Sequence, residues 1–364
     1  MIDSADALTA FVARATSAKD TLQPLALDTE FMREKTYRAE LCLLQLAVGE
    51  EAVCVDPLAL AGSGADLSPL VPMLTSGAVK VMHAARQDLE VLLPAVGLVQ
   101  PVFDTQIAAA LAGHPSQVGY AELTRRLVGV ELAKAHTRAD WSRRPLGAEQ
   151  QEYALDDVKY LAALRASLLE TLAAKGRTAW LEEELAALTN ADALTVQPED
   201  AWRKIKGLPA LDPERLTLAQ AIGAWRERRA AERNRPRGWI LDDAVLREIV
   251  VRLPRTAEAL AALPEMQESV VRKCGDELLD LVKQAGISDP PPPLPRREKP
   301  DPSLVTLVKR LADISGEVAK QLEISPEVLS TRRELERLAA GKRDVSLLRG
   351  WRADVVGAQL LAAL

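Results

Sequence analysis

The sequence predicts an α/β domain, a mixed sheet with flanking helices, followed by all-α helical bundles. Three observations predict it. Short apolar strand patterns alternate with helical ones up to about Tyr120. Beyond that point strand patterns stop, and helical periodicity continues to the C-terminus. The stretch Ser288-Asp289-Pro290-Pro291-Pro292-Pro293-Leu294-Pro295-Arg296-Arg297-Glu298-Lys299-Pro300 then interrupts the helical part as an extended, semi-rigid spacer. A chain of 364 residues exceeds one ordinary compact domain. The expected division is 1–190, 198–285, a linker at 286–302, and 303–364, with a softer boundary near Thr189–Pro198. The spacer carries a PxxP pattern that a proline-recognising module could bind, but its composition reads first as a linker.

Taken in order, an amphipathic segment from Ser4 to Ala18 precedes the strand Leu25–Glu30. Leu41–Val48 and Ala52–Asp56 read as two strands of a hairpin turning at Gly49-Glu50-Glu51. Val79–Met82 is a fourth strand, followed at once by a helix from Ala84 to Leu93. Val102-Phe103-Asp104 is a fifth, leading into a helix around Ile107–Leu111.

Composition sets limits on function. A hydrophobic fraction of 48% with 27% charged residues is that of a soluble globular protein. No apolar run is long enough to span a bilayer and the start is acidic, so a cytoplasmic location is expected, with no membrane partner. Cys42, Cys54 and Cys274 sit far apart in apolar or helical contexts, which fits reduced core thiols. His83, His114 and His136 form no local zinc-ligand pair. The net charge of −6 is unevenly distributed: residues 1–190 hold 17 Lys and Arg against 25 Asp and Glu, and 191–364 hold 29 against 27.

Acids in unusual places point to chemistry. Asp28 and Glu30 share one face at the end of a buried strand, because strand side chains alternate. Such a pair suits a cation, although acids at a strand end also face water in turns. On the following helix Asp88 falls on the face of Ala84, Val91, Leu92 and Ala95, opposite Arg86, Gln87 and Glu90. A carboxylate there needs a hydrogen bond, an ion pair or a metal. Tyr153 and Asp157 lie one helical turn apart on the stripe of Tyr160, Leu161, Leu164 and Leu168, with Asp156 turned about 100° away. Four inward carboxylates without sulfur or paired histidines select magnesium or manganese. Two such ions roughly 4 Å apart can activate water and stabilise the leaving oxygen of a phosphodiester.

The segments around these residues, Leu25–Glu30, His83–Asp88 and Tyr153–Asp157, resemble the three motifs of the tyrosine-containing branch of the DEDD exonuclease superfamily. More narrowly, Asp28-Thr29-Glu30-Phe31, His83-Ala84-Ala85-Arg86-Gln87-Asp88, Phe103-Asp104-Thr105-Gln106 and Asp140-Trp141-x-x-Arg144-Pro145-Leu146 are similar to segments of the ribonuclease D family. The resemblance implies a ribonuclease H-like sheet and a 3′–5′ exoribonuclease that trims structured RNAs such as tRNA precursors to nucleoside 5′-monophosphates. It implies two Mg²⁺ ions, or Mn²⁺. Asp28 would bridge them, Glu30 and Asp157 would complete the first site, and Asp88 would serve the second. Tyr153 would orient the attacking water.

The basic stretch from Lys134 through Arg138 to Arg143 and Arg144 reads as a phosphate-contacting segment or a solvated loop, and a family-typical serine is replaced around Thr137–Ala139. His83 and Gln87 are further candidate RNA contacts. In the helical half, Arg226, Arg228, Arg229, Arg233, Arg235 and Arg237 outnumber Glu227 and Glu232, with Trp239 nearby. This pattern suits RNA through phosphate contact and stacking, or a solvated helix face. The unit resembles the helical domain shared by helicases and ribonuclease D, the HRDC domain. Leu304–Leu364, with Arg332-Arg333-Glu334-Leu335-Glu336 and Gly350-Trp351-Arg352, resembles the second, more divergent copy, which either binds RNA or packs against the catalytic domain. A monomer is expected. Two other readings leave the motifs intact: an RNA-binding scaffold on a dead nuclease fold, and the same chemistry on single-stranded DNA, since sugar discrimination rests on contacts to the 2′-hydroxyl.

Overall fold

Strand alternation at Leu25-Ala26-Leu27 sets the layers of the first unit. In a computed structural model, which describes residues 1–17, 23–132, 139–205, 207–208, 211–287, 290 and 301–364, Leu25 and Leu27 pack into one core and Ala26 into another. The five-stranded sheet has the order β3-β2-β1-β4-β5. Its strands are β1 (Leu25–Met32), β2 (Glu40–Val48), β3 (Glu51–Val55), β4 (Lys80–Met82) and β5 (Val102–Asp104). β2 and β3 form the expected antiparallel hairpin, whereas β4 lies parallel to both β1 and β5. The sheet is therefore mixed, as the sequence predicts.

Helices cover both faces. α1 (Ala5–Ser17), α2 (Pro57–Gly62), α3 (Val71–Thr75) and α4 (Arg86–Val96) lie along the chain up to β5. Leu8 and Phe11 of α1 and Leu89 and Leu92 of α4 join the Leu25 and Leu27 core. α5 (Thr105–Ala112), α6 (Tyr120–Leu127), α7 (Ala148–Lys159), α8 (Leu161–Ala174), α9 (Thr178–Leu188) and α10 (Ala191–Leu194) follow. Leu111, Leu123, Leu164, Leu168 and Leu181 pack with Ala26 in the opposite core. Burial of each such leucine contributes about 1.5–3 kcal/mol before entropy is counted.

Three local expectations are corrected. α4 starts at Arg86, not Ala84, because Ala84 takes a left-handed φ of 55°. Ala84 and Ala95 are exposed, and the buried face around Asp88 is Leu89, Val91, Leu92 and Val96. Asp56 is not the last residue of a strand: it caps α2 by accepting from Leu58 and Ala59 amides. The stripe through Tyr153, Asp157 and Leu164 is not one straight helix, since the chain breaks between α7 and α8 at Tyr160.

The second unit comprises Arg33–Glu40 and Thr195–Glu298. A 3₁₀ turn at Pro198–Lys204 precedes α11 (Pro213–Glu232), α12 (Arg237–Ile240), α13 (Asp243–Arg252), α14 (Ala257–Ala261) and α15 (Glu268–Ala285). Trp202, Leu218, Ile222, Leu246, Ile249, Cys274 and Leu278 form its core. Gly223 is required in α11, because a Cβ there would stand 2.8 Å from that of Trp202. Tyr37 belongs to this unit, where its hydroxyl donates to buried Glu227.

After the proline spacer, most of which lies outside the described residues, α16 (Pro302–Gln321), α17 (Pro326–Leu329) and α18 (Arg332–Ala339) return to the first unit. Leu311, Val318, Leu335, Leu338 and Trp351 share one continuous core with Leu111, Leu164 and Leu181. Trp351 stacks on Trp180 at 4.5 Å and 14°, and its indole N–H donates to Glu184 at 2.8 Å. The C-terminal helices thus pack against the sheet-bearing part of the chain. The three cysteines are buried free thiols, and among the described residues no helix is long and apolar enough to cross a membrane.

Candidate active site

β1 delivers Asp28 and Glu30 to the face it shares with Ala26, and the first helical turn after the β4 junction delivers Asp88. α7 delivers Asp157. Carboxylate oxygens of Asp28, Glu30 and Asp157 lie within 4.8 Å of one another, and all three side chains are partly buried. Asp88 is buried and stands beside this trio. It accepts a hydrogen bond from the Thr29 hydroxyl, on the opposite face of β1 from Asp28 and Glu30.

The electrostatics are those of crowded acids. Burial first, and then the charges of Asp88, Asp157 and Glu30, hold Asp28 well above the usual carboxylate range. Burial with Asp157 and Asp88 nearby pushes Glu30 up to about 8. Burial and the charge of Asp156 push Asp157 up to about 7. Burial raises Asp88 to about 6, against the opposing pull of the Thr29 hydrogen bond. Hard oxygen donors crowded in this way fit a divalent cation, whose charge would let all of them ionise.

The Tyr153 phenol hydrogen-bonds to Asp157, and its ring stacks on buried Trp141 with centroids 6.2 Å apart. Burial, then the charges of Asp157, Glu30 and Asp28, raise its pKa, so it remains a phenol at neutral pH. The structure therefore brings together all five residues that the motifs singled out.

The expected RNA contacts divide. Four have partners inside the protein. His83 is held through both ring nitrogens, Nδ1 to the Thr105 hydroxyl at 2.8 Å and Nε2 to the Val118 carbonyl at 3.0 Å, and burial lowers its pKa. Arg144 donates to Asp56 at 2.8 Å and to the Cys42 carbonyl at 2.7 Å. Arg226 is buried and donates to Asp243 at 2.6 Å and to the Leu241 carbonyl at 2.9 Å. Arg229 is mostly buried and bonds to Glu277. Gln87, Arg143, Arg233 and Trp239 are exposed, with Arg143 paired to Asp140 and Arg235 stacked over Trp239. Lys134 and Arg138 lie outside the described residues.

Two residues had no assigned role in the sequence reading. Thr29 carried no signal beyond its place between two acids. Asp104, the last residue of a strand before a helix, carries the ordinary signature of a helix cap. It accepts from the Gln106 and Ile107 amides, and its oxygens also reach Ala84 and Ala85.

Residues 1–173 match the 3′-5′ exonuclease family and residues 215–282 match the HRDC domain. The ribonuclease D of Jannaschia sp. (strain CCS1) is 39% identical, covering 100% of this chain and 94% of that protein. That of Gluconacetobacter diazotrophicus is 40% identical, covering 93% of this chain and 86% of the relative. The crystal structure of Escherichia coli RNase D, described as an exoribonuclease involved in structured RNA processing, superposes with a TM-score of 0.86 at 31% identity, covering 100% and 98% of the two chains. The fold and the acid cluster define a 3′–5′ exonuclease with a helical HRDC domain. The chain belongs to the ribonuclease D family.

Proposed function

We propose that this protein is a divalent-metal-dependent 3′–5′ exoribonuclease that removes nucleoside 5′-monophosphates from the 3′ tails of structured RNAs, tRNA precursors among them. The observation that carries the reading is the trio of Asp28, Glu30 and Asp157 oxygens within 4.8 Å of one another, with Asp88 beside them. The full-length relatives named ribonuclease D supply the substrate class.

Two Mg²⁺ ions, or Mn²⁺, bound there would neutralise the developing phosphate charge and activate the attacking water. Asp28, Glu30 and Asp157 would hold one ion, and Asp88, with Asp28 shared, would serve the other. Tyr153, anchored on Asp157 and Trp141, holds its hydroxyl at the edge of the cluster to orient water for in-line attack. Exposed Gln87, Arg143, Arg233 and Trp239 contact RNA by hydrogen bonding, charge and stacking. The protein works as a cytoplasmic monomer.

The test is digestion of matched RNA and DNA carrying the same 3′ tail, with Mg²⁺ and with EDTA. Release of 5′-mononucleotides from RNA in Mg²⁺ alone is expected. Equal digestion of DNA would return the substrate to nucleic acid in general, and RNA binding without turnover would favour a scaffold.

A further inference from the structure

Helix α4, which carries Asp88, has no side-chain cap of its own: its N-cap position is Ala85, which offers no hydrogen-bonding group. The cap comes from a different strand. Met82, the last residue of β4, pairs in register with Asp104, the last residue of β5. From there the Asp104 carboxylate accepts from the Ala85 amide at 2.8 Å and the Ala84 amide at 3.2 Å. The same carboxylate caps its own helix, accepting from Gln106 at 2.7 Å and Ile107 at 3.2 Å. One buried side chain therefore serves two neighbouring strand-to-helix junctions.

The junction it serves is strained. Ala84 adopts φ 55°, a conformation that costs an L-residue roughly 1–2 kcal/mol and persists only where its surroundings enforce it. His83 is fixed from the other side by Thr105, the residue after Asp104, whose hydroxyl oxygen also lies 3.0 Å from the Met82 carbonyl oxygen. Asp88 lies in the first turn after this junction, so the azimuth of that turn decides where its carboxylate stands.

We propose that Asp104 is the positioning residue for Asp88: its carboxylate holds the His83-Ala84-Ala85 turn and so fixes the acid that serves the second metal position. This inference rests on the proposed two-metal site. Asparagine at 104 keeps one acceptor oxygen but presents an N–H to amides that need an acceptor.

The experiment titrates Mn²⁺ into full-length wild type and Asp104→Asn, with free Mn²⁺ followed by electron paramagnetic resonance, alongside melting temperature and steady-state kinetics on a 3′-tailed RNA. The expected result is selective. The tighter binding event stays within about 2-fold, the weaker one loses roughly 10-fold or more, and kcat falls with little change in KM, the size usual for a group that orients a ligand. Ala84→Gly, which removes the strain, should restore the weaker event in the double variant. Asp104→Ser, which retains a cap for α5, should show the same selective loss and takes the place of Asp104→Asn if that variant does not fold. Unchanged binding, or parallel loss of both events with a lowered melting temperature, overturns the proposal. Wild type that binds no Mn²⁺ would instead overturn the metal-site reading itself.

Discussion

The Thr29 hydroxyl donates a hydrogen bond to the Asp88 carboxylate across 59 positions of sequence, tying the strand that carries Asp28 and Glu30 to the helix that carries the fourth acid. Both partners are buried, so removal of the donor takes one hydrogen bond away from a carboxylate held out of water. Thr29→Val should lower metal-free stability by about 1–3 kcal/mol in urea denaturation. An unchanged midpoint and slope would mean that water replaces the hydroxyl at no cost.

The acid cluster makes stability depend on pH and metal together. Asp88, Asp157 and Glu30 have folded pKa values of about 6, 7 and 8, above those of the unfolded chain, and Asp28 moves in the same direction. Between about pH 4 and pH 8 the folded protein therefore holds protons that the unfolded chain has released, and metal-free stability falls as pH rises through this window. A bound divalent ion takes the place of those protons. Thermal melts at pH 5, 6, 7 and 8 should show a Mg²⁺-induced rise over EDTA that grows with pH. A rise that is largest at pH 5 would contradict the assignment.

Tyr153 is fixed by Asp157 at its hydroxyl and by Trp141 at its ring. Tyr153→Phe keeps the ring packing and removes the hydroxyl. The expected loss in kcat is roughly 10²-fold or more with RNA affinity unchanged. A wild-type rate would make Tyr153 a core aromatic.

Arg144 and Trp239 should fail in opposite assays. The Arg144 side chain is 26% exposed and bonded to buried Asp56, so Arg144→Ala should cost about 2 kcal/mol of stability with little effect on RNA affinity at a permissive temperature. Trp239 is 60% exposed, so Trp239→Ala should leave the melting temperature near wild type and weaken RNA binding by about 1–3 kcal/mol in fluorescence anisotropy. The reverse pattern would move the RNA contacts to the segment around Arg144.

The strands and the acid cluster were legible because they depend on local pattern: alternation at Leu25–Glu30, and charge on an otherwise apolar face at Asp88. The break at Tyr160 was not legible, since Tyr153 and Asp157 before it and Leu164 and Leu168 after it keep helical spacing. The fate of the arginines was hidden for a different reason. Arg226 and Arg237 find Asp243 and Glu227 through tertiary packing, and a basic run reads the same whether its partners are internal acids or phosphates. Asp104 sits where a strand meets a helix, the ordinary place for a cap of α5, but its second pair of amides belongs to another strand's junction. Ala84 offered no sign of a left-handed turn, which is ordinarily marked by glycine or asparagine.

The central claim is that the carboxylates gathered at the end of β1 form a metal-dependent hydrolytic centre. Its most direct test compares wild type with Asp28→Asn on a 3′-tailed RNA in Mg²⁺, following release of nucleoside 5′-monophosphates under single-turnover conditions. Removal of the Asp28 charge should slow hydrolysis by roughly 10³-fold or more while the protein remains folded and binds RNA. Release by Asp28→Asn at close to the wild-type rate would contradict it.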